Sequence, residues 1–490
     1  MNFERSGGIL LHITSLPSKY GIGNLGNEAY HFVDFLSEAK QKLWQILPTG
    51  PTGYGDSPYQ TFSAFAGNPL FIDPDNLVER KLLSSKDLVN DLQFNNRKVE
   101  YEKVRKFKEE KLQIAFSNFD LNKTSFKKFT TQESWWLDDF ALFMSLKGHF
   151  NGNAWNEWDE EIRLHQQEAV VYYCRHLKKQ IDYHKFCQFI FFEQWEKLKL
   201  YTNEKGIKII GDIPIFVSAD SSDAWANPEI FQFDQNNIPT GVAGVPPDYF
   251  CETGQLWGNP LYDWKVLEEQ NFAWWMQRFK SMQKQVDIMR IDHFRGFEAY
   301  WTVPAGEETA INGKWEKAPG EKLFSAVIDE LGELPIIAED LGVITKEVEA
   351  LRDKFDFPGM KILQFAFDSS MENSYLPHKY KTNCVVYTGT HDNETTLGWF
   401  KNSPLERKEF LKTYLQKEEI DICWDMLELA WKSIANIAIA PMQDFLCLDN
   451  SARMNTPGNP DGNWQWRIEQ KQLTSDLVQK IKILTMQSAR

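Results

Sequence analysis

The sequence has no apolar run of the ~20 residues needed to span a bilayer, so no membrane-crossing helix is expected. Its first residues, MNFERSGGILLHITSLPS, lack a charged region followed by a long apolar core, which argues against a secretory signal and for the cytoplasm. The six cysteines, Cys174, Cys187, Cys251, Cys384, Cys423 and Cys447, are scattered and form no CxxC pair. Neither a zinc site nor a disulfide framework is expected from that spacing, and reduced thiols fit it better. Positive charge is also short: 54 Lys and Arg face 69 Asp and Glu, for a net charge of −15. Such a surface repels phosphate backbones and anionic lipid, so neither nucleic acid nor membrane is an expected partner. A neutral substrate is indifferent to it.

What is present is ordinary globular chemistry with many aromatics. Hydrophobic residues make up 42 % and charged residues 25 % of the 490, within the usual range for a folded domain. Aromatics reach 14 %, with 18 Trp and 35 Phe. Most of these rings belong in a core, although flat apolar faces also suit sugar rings.

Along the chain, short apolar runs alternate with amphipathic stretches. The segments 8–16 and 43–47 read as strands, and 28–39 between them carries Ala29, Phe32, Val33, Phe35 and Leu36 at helical spacing. Strand alternating with helix points to a parallel α/β sheet. From 76 to 183 the alternation stops. Lys, Glu, Gln, Leu and Phe dominate with little Gly or Pro, and helices are expected at 96–116, 135–146 and 159–179. The alternation resumes with a helix at 183–204. A Gly/Pro- and aromatic-rich stretch, 218–263, has little periodicity; a loop of that length in a compact domain is usually functional. Further strands are expected near 287–292, 335–339, 360–365, 384–388 and 435–440, with helices at 272–285, 321–331, 346–354, within 404–434, and at 473–486. With the strand ending at Asp212 this makes eight strands, the pattern of a (β/α)₈ TIM barrel. The expected organisation is a catalytic barrel at 1–75 and 184–490, a helical insertion at 76–183 after strand 2, and a loop insertion at 218–263 lining the cleft.

Four of the expected strands end in a carboxylate: IKIIGD (Asp212), DIMRID (Asp292), PIIAE (Glu339) and VVYTGTHD (Asp392). In a closed parallel barrel the C-terminal strand ends open on one face, so these acids converge. Paired carboxylates are what glycosidic bond chemistry requires. Arg290 and Asp292 share a strand face, and a guanidinium favours the ionised carboxylate of a nucleophile. Glu339 ends an apolar run, and burial keeps a carboxyl protonated as a general acid requires. His391 with Asp392 suits two neighbouring sugar hydroxyls and the charge of an oxocarbenium ion. Each acid also has a plainer explanation. Arg290–Asp292 fits a structural ion pair and Glu339 a surface acid. Asp392 fits a helix cap, a role Asn393 or Thr395 fills equally well. Asp212 fits support of Arg290 or of a substrate hydroxyl, or a purely structural role, and Asp340 points to the opposite face from Glu339.

The segments GILLHITSLPS, LPTGPTGYGDSPYQ, GDIPIFV, GVPPDYFCETGQLWGNP, RIDHFRGF, IIAEDLG, TGTHDNETT and ARMNTPGNPDGNWQWR together resemble the 4-α-glucanotransferases (amylomaltases, disproportionating enzymes) of the α-amylase-like superfamily. The likeness runs from about residue 8 to 467 and implies the barrel fold. It also implies a role for each acid: Asp292 as nucleophile, Glu339 as acid/base and Asp392 as transition-state stabiliser. Arg290 and His391 match residues that support the nucleophile and hold the donor glucose. Tyr59, Asp212, Asp248, Gln255, Trp257 and Asn463 fall in segments that line the cleft of such enzymes. Cys251 stands where a small residue often occurs. No starch-binding domain is expected ahead of the first strand.

The implied activity is transfer of α-1,4-glucan segments (maltooligosaccharides, amylose) to a 4-hydroxyl acceptor by retaining double displacement, with roughly 5 Å between the two working carboxylates. No metal or cofactor is implied, and the protein is expected as a monomer or homodimer. The turn 54–59 and the loop 250–257 are candidates for excluding water. A glucan hydrolase, a non-catalytic glucan-binding protein and a Mg²⁺-dependent lyase or isomerase are the alternatives, to be separated by maltotriose products, by turnover and by EDTA.

Overall fold

Val, Ile, Ala, Leu and Gly make up most of the eight apolar runs, which suits strands buried by a core inside and helices outside. The computed structural model, which describes residues 3–247, 252–459 and 461–490, has twelve strands among them. They are β1 (Ser6–Leu10), β2 (Leu43–Gln45), β3 (Lys208–Pro214), β4 (Gly241–Val245), β5 (Gln255–Pro260), β6 (Ile288–Asp292), β7 (Ala299–Pro304), β8 (Lys314–Lys317), β9 (Ile336–Ala338), β10 (Gly359–Ile362), β11 (Cys384–Tyr387) and β12 (Ile437–Pro441). Eight of them form one parallel sheet in the order β10-β11-β12-β1-β2-β3-β6-β9. Its two edges meet where the Ala338 N–H donates to the Pro358 carbonyl at 3.0 Å, giving a (β/α)₈ barrel. Close approach of β1 and β2 depends on Gly8, where a Cβ would stand 2.5 Å from that of Leu43.

Helices Asn27–Glu38, Lys178–Glu204, Ala273–Gln285, Gly320–Leu331, Lys346–Lys354, Ile422–Lys432 and Ser475–Gln487 follow the expected apolar spacing. Among the described residues no helix is long and apolar enough to cross a membrane. Between β2 and β3 the chain is first irregular and then, from Tyr101 on, mostly helical, including Tyr101–Ser117 and Ser134–His149. The single helix expected over 159–179 is broken into Glu160–Arg163 and Gln167–His176, because His165 takes a left-handed conformation (φ 52°) between them.

Two expectations need correction. The stretch 218–263 is more regular than its composition suggests: β4 and β5 lie in it and join β7 and β8 in an antiparallel sheet of order β5-β4-β7-β8. β4 (GVAGV) is mostly buried with two glycines, and β5 (QLWGNP) runs from exposed to buried with a glycine and a proline, so neither carries a clean alternation. Cysteines are also not all reduced. Cys423, on helix Ile422–Lys432, is disulfide-bonded to Cys447 just beyond β12, with a Cα–Cα distance of 5.6 Å. Twenty-four residues separate them in sequence, and only the packing of that helix on the barrel brings them together. Cys174, Cys187 and Cys384 are free thiols, and Cys251 lies outside the described residues.

Candidate active site

Register decides which acids meet. In the β3–β6 ladder Asp212 pairs with Arg290, and Pro214 with Asp292. Arg290 therefore lies beside Asp212 and one pleat below Asp292. Its Nη1 donates to Asp212 Oδ2 at 2.5 Å and to Asp292 Oδ1 at 2.9 Å. The two carboxylates are not equivalent: the Asp212 side chain is 0 % exposed and that of Asp292 29 %. Asp212 thus serves the guanidinium, and Asp292 faces the opening.

The next strand brings the third acid. Glu339 follows β9 and accepts the His293 N–H at 2.7 Å on Oε2 and the Leu341 N–H at 2.8 Å on Oε1. One peptide step therefore separates its anchor from Asp292. His293 reaches this geometry with φ 52°, a conformation that costs energy in a non-glycine residue and is kept where neighbours over-determine it. Asp340 faces away, as its place in the strand predicts. It accepts the Met360 N–H at 2.7 Å and pairs with Arg352.

His391 and Asp392 lie in the loop after β11. Tyr59 joins them to the first cluster: its hydroxyl donates to Asp212 Oδ2 at 2.6 Å and lies 2.9 Å from His391 Nε2. The one phenolic proton is spent on Asp212, so His391 must donate from Nε2 to the Tyr59 oxygen. That imidazole is buried, 5.3 Å from the Tyr59 ring and nearly parallel to it, and 3.4 Å from Asp392 Oδ2. The cap reading for Asp392 is removed. Thr395 caps helix Thr396–Asn402, accepting the Gly398 N–H at 3.1 Å, while the Asp392 side chain stays 43 % exposed.

Burial pushes the Asp292 carboxyl well above its ordinary value, with Arg290 pulling against it and Asp212, Glu339 and Asp392 adding to the rise. Glu339 is pushed up by the same burial, opposed by Arg290 and its two N–H donors. Burial lowers His391, with Asp392 opposing the fall and Arg290 adding to it. His293 is pushed down to about 4 by burial and then by Arg295.

The remaining expected residues sit further out. Trp257 stands edge-on to His293 with ring centroids 4.8 Å apart, and its Nε1 donates to Gln255 Oε1 at 3.2 Å. Asn463 serves its own turn, accepting the Thr456 N–H at 2.9 Å and donating to the Asn459 carbonyl at 2.7 Å. Asp248 lies outside the described residues. The structure adds groups that no strand-end pattern indicates. Asn455 donates to Asp392 Oδ1 at 2.6 Å, and Arg453 to the Asp392 carbonyl at 2.6 Å. Trp464 lies against both Tyr59 and His391, with centroids 6.0 and 5.9 Å away. All three come from the chain after β12, in a segment whose motif gives no spacing rule for them.

A family model described as 4-alpha-glucanotransferase matches residues 11–474. The chain belongs to the 4-α-glucanotransferase family. A 4-alpha-glucanotransferase of Clostridium butyricum is 51 % identical over 481 residues, covering 97 % of this chain and 99 % of that one. One of Thermus thermophilus is 48 % identical across the full length of both. Among solved structures, the amylomaltase from Streptococcus agalactiae in complex with acarbose superposes with a TM-score of 0.96 at 42 % identity, covering 99 % of this chain and 100 % of that chain. Membership makes this protein a glycosyl-transferring enzyme with 4-α-glucanotransferase activity on glucans.

Proposed function

We propose that the enzyme moves α-1,4-glucan segments by a retaining double displacement through a covalent glucosyl ester on Asp292. Asp292 attacks the anomeric carbon as the C1–O bond breaks, and the leaving oxygen takes its proton from Glu339. Glu339 then withdraws the proton of an incoming 4-hydroxyl, that oxygen bonds to C1, and the Asp292 ester bond breaks. Asp392 opposes the positive charge that develops on the sugar between these steps.

The observation that carries this reading is the unequal treatment of two neighbouring carboxyls. Glu339 adds to the rise at Asp292, so the two carboxyls resist double ionisation. Asp292 has the charged Arg290 at 2.9 Å, whereas Glu339 has only neutral amide donors. The charge-assisted contact is the stronger, and against the burial that raises Asp292 it favours the negative charge there and the proton on Glu339. This supports Asp292 as nucleophile and Glu339 as acid. The likeness to a family member solved with acarbose supports a saccharide in the same cleft.

Transfer wins over hydrolysis when acceptor sugar displaces water, and Trp257 at the rim beside His293 is placed to help. Maltotriose separates the outcomes: glucose together with chains longer than the substrate marks transfer, and only shorter chains with rising reducing ends mark hydrolysis. Asp292→Asn and Glu339→Gln should each lose several orders of magnitude in turnover while still binding maltooligosaccharide. Near-normal turnover in either variant would end the proposed roles.

A further inference from the structure

The loop carrying His391 and Asp392 leaves β11 and enters helix Thr396–Asn402, and both of its ends close on one side chain. Asp444, in the short helix Met442–Phe445 just beyond β12, accepts the Thr388 hydroxyl at 2.5 Å and the Thr396 hydroxyl at 2.8 Å on Oδ2. Its Oδ1 accepts the Thr396 N–H at 2.8 Å. Thr388 precedes the His391–Asp392 pair and Thr396 follows it, so the carboxylate spans the loop at its base. Asp444 is 1 % exposed, and both threonines are fully buried. No ion pair joins Asp444 among the described residues; three hydrogen bonds hold it. Burial alone pushes this carboxyl up, and the hydrogen bonds oppose that rise.

A buried carboxylate without a counter-ion is a costly way to fill the end of a strand, and an apolar side chain of similar volume is cheaper. What the acid achieves is local. Above it, Thr390 donates its N–H and hydroxyl to Asn393 Oδ1 at 2.8 and 2.9 Å, and the Thr395 N–H donates to Asn450 Oδ1 at 3.2 Å. The Asp392 side chain meets Asn455 from a separate segment. The loop is thus tight within itself, and its place on the barrel is set at the base.

We infer that Asp444 is a positioning residue for the transfer reaction: by holding Thr388 and Thr396 together it sets where the Asp392 carboxylate stands against the reacting sugar. This rests on Asp392 acting as the charge stabiliser proposed above. Misplacing a working group by about 1 Å costs about 100-fold in rate, so the effect belongs in kcat.

The test is a double-mutant cycle on maltotriose turnover with Asp444→Asn and Asp392→Asn. Asp444→Asn alone should lower kcat about 10- to 100-fold and leave KM within about threefold. Added to Asp392→Asn, it should change the residual rate by less than about twofold, because the group it positions is already gone. Equal losses in both backgrounds, or a loss that tracks the folded fraction by circular dichroism, would make Asp444 a purely structural acid and overturn the inference. Should Asp444→Asn fail to fold, Thr388→Val removes one hydroxyl from the same anchor and carries the same cycle with the same criterion. Near-normal turnover of Asp392→Asn by itself would instead remove the stabiliser role, an outcome readable without any Asp444 variant.

Discussion

At the scale of single residues, the site is a chain of contacts in which each partner limits what the next can do. Arg290 is shared by Asp212 and Asp292; Tyr59 gives its proton to Asp212; His391 must then give its own to Tyr59. The phenol is held protonated by burial and by the Asp212 charge, so the direction of this chain is fixed. Tyr59→Phe keeps the ring against His391 and deletes the hydroxyl that joins the two halves of the site. A hydrogen bond to a charged group is worth about 1.5–3 kcal/mol, so kcat at saturating maltotriose should fall about 10- to 100-fold. An unchanged kcat would show that Asp212 and His391 hold their places without it. The strand-end acids were readable from sequence because each ends an apolar run. Arg453, Asn455 and Trp464 were not, since they reach the site from a loop without strand or helix periodicity.

At the scale of elements, the parallel register does most of the positioning. Pairing Asp212 with Arg290 follows from the β3–β6 ladder, and a slip by one residue would turn these side chains to the other face. The segment after β12 matters as much. It supplies Asp444 to the base of the Asp392 loop, and the Cys447 N–H donates to the Asp444 carbonyl at 3.1 Å. The disulfide to Cys423 fastens this segment to helix Ile422–Lys432. Closing a loop of 24 residues stabilises a fold by about 3 kcal/mol in the chain-entropy model. Cys447→Ser should lower the unfolding free energy by about that amount in urea, with turnover at 25 °C close to wild type. A disulfide that carries no stability would leave the urea midpoint where it was.

At the scale of the whole molecule, a helical layer is fastened to the barrel by a buried lysine. Lys108, on helix Tyr101–Ser117, donates from Nζ to the Ile72 carbonyl at 2.6 Å and is 1 % exposed. Burial pushes its pKa down to about 7, with Asp73 and Asp75 opposing the fall. An unfolded lysine titrates near ~10.4, so between these values the unfolded chain binds a proton that the folded one does not. Stability therefore rises with pH across that window and is flat below it. From pH 7.5 to 9 the lysine should contribute a gain of about 2 kcal/mol, and Lys108→Met should lack this part. Comparing urea unfolding of the two proteins at both pH values isolates it from other titrating groups; parallel pH dependence in both would mean that Lys108 stays charged when folded.

Periodicity, turn chemistry and the apolar run before each acid determined the barrel, its eight strands and most of its helices, and they marked Asp212, Arg290, Asp292, Glu339 and Asp392 as groups that converge at one end of it. These are local signals, written within one strand or helix and its cap. Tertiary structure alone decided the pairing of Cys423 with Cys447, the second sheet and the anchoring of the Asp392 loop on Asp444. Each of these joins segments far apart in the chain, where only register and packing choose the partner.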